Sequence, residues 1–110
     1  MTTIYNWITD PAHGWLTVTL EELRSLGIAD DISKFSYIST SKGVAYLEED
    51  IDALRFIKAK GIDIRDREAL SRWCEENTRS HHHDSANHQC YSHPVRNCDQ
   101  YPATESPWTL

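Results

Sequence analysis

Short runs of apolar and alternating residues in the first part of the chain predict strands with one buried face. Turn sequences rich in Asp, Pro, Ser and Gly follow the first and third runs, at residues 10–14 and 41–43. Ile-Asp-Ile at residues 62–64 adds a short fifth strand at an edge. The four main predicted strands are residues 2–8, 15–18, 35–40 and 44–47.

Two helices are predicted by capping residues at their first turns. Thr19 and Glu22 have the spacing of a capping box, and Gly27 ends the short helix that follows. A later helix of about residues 67–76 begins after Asp66, a favourable N-cap residue.

A third helix follows an acidic corner at residues 48–52. Ile51, Leu54 and Ile57 repeat at helical spacing and predict one buried face. Glu49 or Asp50 is the expected N-cap, because a carboxylate there accepts hydrogen bonds from the first turn. Helix capping therefore accounts for the acids at this corner, and no catalytic role is needed to explain them.

The order of these elements predicts an α+β domain over residues 1–79. We expect a small antiparallel sheet of four to five strands, with two to three helices on one face. Residues 80–110 hold three of the four prolines and five of the six histidines, without helical or strand periodicity. This part is predicted to be an irregular or metal-organised tail that does not extend the sheet.

The charge of the chain is unevenly distributed. The formal net charge is −6, and residues 20–54 carry eight acidic side chains against three basic ones. An acidic face repels nucleic acid and favours a basic protein surface, although many such faces only keep a protein in solution. The candidate partner-binding residues are Asp30, Asp31, Glu48, Glu49, Asp50 and Asp52.

The tail contains residue types that bind zinc. Cys90 and His93 form a Cys-x₂-His pair, and Cys98 follows within reach of the same ion. The alternatives are a polar tail that binds metal weakly, or a disulfide between Cys90 and Cys98 under oxidation. The candidate zinc ligands are Cys74, His83, His88, Cys90, His93 and Cys98.

A magnesium-dependent nuclease is the weakest of the three hypotheses. His13 together with the acidic corner offers residue types that such a site uses. No Lys or His lies beside these acids in the sequence, and no catalytic residue is therefore assigned. Cys74 falls on the apolar stripe of its helix, which indicates packing and not nucleophilic chemistry.

Neither a signal peptide nor a membrane span is expected. The N-terminus lacks a basic segment followed by an apolar run, and no apolar stretch approaches the roughly 20 residues of a transmembrane helix. A mean hydropathy of −0.60 agrees with this expectation. We expect a soluble, intracellular protein.

Four short motifs occur in the first part of the chain: His13-Gly14-Trp15-Leu16, Leu26-Gly27-Ile28-Ala29, Phe35-Ser36-Tyr37-Ile38 and Ala45-Tyr46-Leu47-Glu48-Glu49-Asp50. They resemble a family of short proteins, without assigned chemistry, that phages and other mobile elements of bacteria encode. The likeness covers about residues 12–61, and the tail lies outside it. Members carry Cys where this chain has Ile51, so no thiol role is implied here.

The resemblance implies a context and no catalytic residue. It suggests an accessory inhibitor of a host defence, of the anti-CRISPR type, in the cytoplasm of a bacterial cell. Such a protein acts by stoichiometric binding to a nucleic-acid-binding complex. Clustered carboxylates suit this role because they pair with the Arg and Lys side chains that otherwise contact phosphate.

Overall fold

A computed structural model describes residues 3–87 and 93–102 of the chain. The described residues form one mixed sheet of six strands with three helices, which confirms the α+β class. The sheet order is β5-β1-β2-β4-β3-β6. The elements are β1 (Tyr5–Thr9), β2 (Gly14–Thr19), α1 (Leu20–Ser25), a 3₁₀ turn (Ala29–Asp31), β3 (Tyr37–Ser39), β4 (Val44–Glu48), α2 (Asp52–Ala59), α3 (Arg67–Asn77), β5 (Thr78–His82) and β6 (Asp99–Gln100).

The four predicted strands form the antiparallel centre of the sheet. β2 pairs with β1 on one side and with β4 on the other, and β4 also pairs with β3. The β1–β2 turn is fixed by Asp10, whose carboxylate accepts hydrogen bonds from the backbone N–H groups of Ala12 and His13, each at 2.8 Å. In this register Trp15 lies opposite Glu48.

The helices cover one face of the sheet, as predicted. Leu16 and Leu47 point to this face and pack with Phe56 of α2 and Trp73 of α3 in the larger core cluster. Full burial of each such side chain contributes about 1.5–3 kcal/mol to folding. None of the helices in the described residues has the length and apolar character to cross a bilayer.

The opposite face of the sheet is covered in part by residues from the predicted tail. Trp15 and Tyr46 alternate with the residues of the larger cluster, and Val95 packs on them fully buried. β6 pairs with the outer edge of β3. The described residues 93–102 therefore belong to the folded domain, with His93, Val95 and Tyr101 buried.

The prediction that the sheet ends before residue 80 is wrong. β5 pairs in parallel with the outer edge of β1, from Tyr5 opposite Thr78 to Thr9 opposite His82, and the boundary predicted at residue 79 falls inside this strand. β5 is exposed along most of its length, so its sequence lacks the apolar alternation that marks a half-buried strand. Residues 62–64 form no strand.

The predicted N-cap residue is correct for two of the three helices. Thr19 accepts from the N–H of Glu22 at 3.1 Å, and Asp66 caps α3. The prediction that Glu49 or Asp50 caps α2 is wrong: Ile51 occupies the cap position without a side-chain hydrogen bond. The carboxylate of Glu48, at the end of β4, instead accepts from the N–H groups that precede the helix.

Candidate functional site

An open depression of about 300 Å³ lies where β2 begins and β4 ends. Its floor is Trp15, which is nearly fully buried, and its walls come from the loop before β3 and the turn before α2. We call it the Phe35–Ile51 groove. Two of its lining residues are cationic, Lys34 and Arg96, and the Arg96 guanidinium is paired with the buried Asp10. The full lining is His13, Trp15, Lys34, Phe35, Tyr37, Glu48, Asp50, Ile51, Arg96 and Gln100.

Two large apolar side chains are exposed in this groove. Phe35 is 60% exposed and Ile51 is 44% exposed. Among the described residues, Ile4, at 42%, is the other large hydrophobic residue with comparable exposure, and it is not part of the groove. Exposed apolar side chains that occur together indicate a contact surface more strongly than single ones do.

The acidic residues of the groove differ in their availability. Glu48 is 9% exposed, and its carboxylate accepts from the N–H groups of Asp50 and Ile51 at 3.0 Å. Asp50 is exposed and Glu49 is half-buried. Asp50 and Glu49 therefore supply most of the accessible negative charge at this corner.

Asp52 is fully buried, which removes it from the predicted acidic face. Its carboxylate accepts from the N–H of Ser33 at 3.1 Å and from the hydroxyl groups of Ser33 and Ser36 at 2.6 and 2.5 Å. The Ser36 hydroxyl oxygen also accepts from the N–H of Glu48 at 2.9 Å. Asp52 thus ties the loop that carries Phe35 to the first turn of α2.

Asp30 and Asp31 lie in the 3₁₀ turn, apart from the groove. Asp30 is exposed and lines a separate depression with Tyr101, and Asp31 is half-buried. The backbone carbonyl of Asp31 accepts a hydrogen bond from Arg55. The six acids predicted to form one face therefore occupy three different positions in the fold.

The structure brings His13, which the nuclease hypothesis grouped with these acids by residue type alone, close to the acidic corner. Ligand atoms of His13, Glu48 and Glu49 all lie within 4.8 Å of one another. The contact follows from the pairing of β2 with β4, and the N–H of Glu49 donates to the carbonyl of Gly14 at 3.1 Å. The ladder ends with Trp15 opposite Glu48, and His13, two residues before Trp15, reaches the same corner. No local sequence pattern contains this register.

Crowding changes the protonation behaviour of Glu49. Burial raises the pKa of its carboxyl group, and the neighbouring Asp50 and Glu48 raise it further. His13 and the N–H of Gly14 act in the opposite direction. The ionised form of Glu49 is therefore less favourable here than in an isolated, fully solvated glutamate.

A buried ionic cluster of Asp10, His93 and Arg96 lies next to Trp15, the floor of the groove. The carboxylate of Asp10 accepts from His93 Nε2 at 2.9 Å and from Arg96 Nε at 2.5 Å. The Arg96 guanidinium lies 5.2 Å from the ring centroid of Trp15. Burial raises the pKa of Asp10, but the hydrogen bonds from Arg96, the turn backbone and His93 outweigh it and hold that pKa well below its usual range.

His93 is a structural residue in this cluster. Its Nδ1 accepts from the N–H groups of Val95 and Arg96 at 3.1 and 2.9 Å, and its Nε2 donates to Asp10. Burial lowers the pKa of His93, and the Asp10 carboxylate offsets part of this effect. Since both ring nitrogens are used in hydrogen bonds, neither is directed at a metal ion.

The described members of the predicted zinc set do not converge on one position. Cys74 packs against the core on the helical face, whereas Cys98 packs on the opposite face. Burial raises the pKa of both thiols, which disfavours the thiolate that zinc or nucleophilic chemistry requires. His83 lies beside His93, with ring centroids 4.6 Å apart. His88 and Cys90 lie outside the described residues.

Comparison of the chain with protein-family models, with curated proteins and with solved structures gives no match.

Proposed function

We propose that this chain is a small, non-enzymatic binding protein that uses the Phe35–Ile51 groove to bind a basic, partly apolar segment of another protein. One observation carries the proposal: the two exposed apolar side chains Phe35 and Ile51 and the exposed acid Asp50 line the same groove, with Glu49 next to Asp50 in the chain.

The energetics favour this combination. Full burial of a Phe or Ile side chain against a partner contributes about 1.5–3 kcal/mol. An exposed ion pair contributes only about 0.2–1 kcal/mol. Asp50 would therefore affect the orientation of the partner and the rate of association more than the affinity. The apolar pair would therefore supply the binding energy, and the acids would select a partner with Lys or Arg beside its apolar residue.

The resemblance to phage and mobile-element proteins suggests the kind of partner. An inhibitor of a host defence complex covers a basic surface that otherwise contacts nucleic acid, and a net charge of −6 suits that surface. The expected mode of action is stoichiometric binding in the bacterial cytoplasm, without contact to nucleic acid or membrane. Asp50 and Glu49, with the exposed Asp30, carry the acidic part of this proposal.

A matched pair of variants tests the groove. The groove variant carries Phe35→Ser, Asp50→Lys and Ile51→Ser, and the control carries Ile4→Ser and Glu75→Lys, which changes one exposed apolar residue and one exposed acid elsewhere. Each protein is used to co-purify partners from a bacterial host lysate, with quantification by mass spectrometry. Circular dichroism and thermal unfolding confirm that both variants fold.

We expect wild type and control to retain the same basic protein, and the groove variant to lose it by at least about tenfold, since two apolar contacts and one ion pair are removed. Binding should weaken as ionic strength rises toward about 0.5 M, because the charged contacts are exposed. Equal retention by the groove variant and wild type would refute the proposal.

A further inference from the structure

Backbone hydrogen bonds fix both of the segments that bring His13 close to Glu48 and Glu49. Glu48 lies opposite Trp15 in the β2–β4 ladder, and the N–H of His13 is fixed by the Asp10 carboxylate at 2.8 Å. The convergence of the three side chains, with ligand atoms within 4.8 Å of one another, therefore joins two segments 35 residues apart and is a product of the fold.

We propose that His13, Glu48 and Glu49 form a binding site for a divalent transition-metal ion of the zinc or manganese type, at the rim of the Phe35–Ile51 groove. One imidazole nitrogen and two carboxylate oxygens suit these ions, whereas Mg²⁺ and Ca²⁺ prefer oxygen ligands alone. Zinc ligands lie about 2.0–2.2 Å from the ion, so they approach one another to roughly 3.4 Å. Side-chain movements of about 1 Å close this difference.

Two features favour cation binding by the carboxylates of Glu48 and Glu49. The Glu48 carboxylate is oriented by hydrogen bonds from the N–H groups of Asp50 and Ile51, as ligands of metal sites commonly are. A Cβ atom at Gly14 would lie 2.9 Å from Oε2 of Glu49, so the absence of a side chain at Gly14 makes room for that carboxylate.

The site is separate from the Cys and His residues of the C-terminal part. It uses none of the candidate zinc ligands named from the sequence, and three protein ligands leave a position for water or for a donor group of a bound molecule. It is also independent of the proposed function, because ion binding is measured on the isolated protein without any partner.

Titration of the metal-free, untagged full chain with zinc chloride and with manganese chloride tests the site, by calorimetry and by the shift in melting temperature. The variants are His13→Ala, Glu49→Gln and Gly14→Ala, which displaces Glu49 without removing a ligand. The control is His81→Ala with His82→Ala, because these exposed histidines are the main alternative ligands for a weakly held ion.

We expect one saturable ion per chain, with affinity reduced at least about tenfold in each of the three site variants and unchanged in the control. The melting temperature of the metal-free Gly14→Ala protein should stay close to that of wild type, which separates lost binding from lost folding. The proposal is overturned by the absence of saturable binding. It is equally overturned if binding survives His13→Ala and Glu49→Gln but is lost in the control, since the ion would then belong to the histidines of β5.

Discussion

Asp10 and His93 connect the first turn of the chain to its C-terminal part through one buried hydrogen bond. The two residues are 83 positions apart, and both side chains are inaccessible to solvent. Arg96 supplies the positive charge that balances Asp10, which leaves His93 to act as a neutral donor and acceptor.

Replacing His93 with Ala is therefore expected to destabilise the fold by about 2–4 kcal/mol, because it leaves a cavity and removes the acceptor of the N–H groups of Val95 and Arg96. The measurement is urea-induced unfolding of wild type and variant. His82→Ala is the matched control, because His82 is exposed, and its cost should stay within about 0.5 kcal/mol. Equal unfolding midpoints for His93→Ala and wild type would show that the cluster adds no stability.

The same residue predicts how stability depends on pH. Burial lowers the pKa of His93, with Asp10 raising it in part and His83 and Arg96 lowering it. The unfolded chain takes up a proton near the ordinary value of 6.5, before the folded chain does, so stability is complete above pH 6.5 and falls as the pH drops below it.

Urea midpoints at pH 7.5 and pH 5.5 measure this effect. The wild-type midpoint should fall, and His93→Gln, which cannot take up a proton, should show a smaller fall. Asp10 has a lowered pKa and adds a loss of stability only below its ordinary value of 3.8. A wild-type midpoint that rises toward pH 5.5 would contradict the account.

At the scale of elements, Asp52 determines how the groove is built. It joins the loop at residues 33–36, which carries Phe35, to the start of α2 beside Ile51. The two apolar walls of the groove thus depend on one buried carboxylate. Because Asp52 is fully buried, fewer carboxylates of the acidic corner are accessible to a partner than the sequence suggests.

Asp52→Ala is expected to cost about 2–4 kcal/mol in stability, because it removes the acceptor of the fully buried Ser36 hydroxyl and of the N–H and hydroxyl groups of the half-buried Ser33. Asp50→Ala should cost less than about 0.5 kcal/mol, since that side chain is exposed. Chemical unfolding of both variants gives the comparison. Similar costs for the two substitutions would mean that the Ser33 and Ser36 hydrogen bonds do not hold the loop.

Local signals in the sequence predicted most of the central elements. Thr19 and Asp66 cap their helices because capping depends on residues three positions apart. The cap of α2 was missed because Glu48 reaches its N–H groups from the end of a strand, which depends on how the chain turns there. β5 was missed because both of its faces are largely exposed, so neither needs apolar residues.

The candidate site depended on contacts that no local pattern contains. The acids at residues 48–50 were visible in the sequence, but the approach of His13 required the register between β2 and β4. The exposure of Phe35 and Ile51 likewise followed only from the packed structure, since an apolar residue in a sequence is first expected in the core.

Across the whole chain, the described C-terminal residues complete the fold. Val95 is buried on the face that the helices leave open, and Tyr101 packs in the larger core cluster on the helical side. β5 and β6 extend the sheet at both edges. Removing residues 80–110 would expose Trp15 and Tyr46 and would leave Asp10 without His93 and Arg96.

The truncated chain of residues 1–79 is therefore expected to lose at least about 4 kcal/mol of stability, and much of its cooperative unfolding, through lost apolar burial and the broken ionic cluster. Thermal unfolding followed by circular dichroism, with an NMR amide spectrum for native packing, measures the change. A truncated chain that melts as wild type does would restore the domain boundary at residue 79.

Site-specific photo-crosslinking gives the sharpest test of the proposal that the Phe35–Ile51 groove is the binding surface. A photoreactive phenylalanine analogue is placed at position 35 in one protein and at position 4 in another, and each is illuminated inside bacterial cells, the host that the proposed function implies. Both positions are exposed and apolar, so they differ chiefly in their place on the surface. We expect an adduct with a basic protein at position 35 and none at position 4. No adduct at position 35, or an equal adduct at position 4, would contradict the claim.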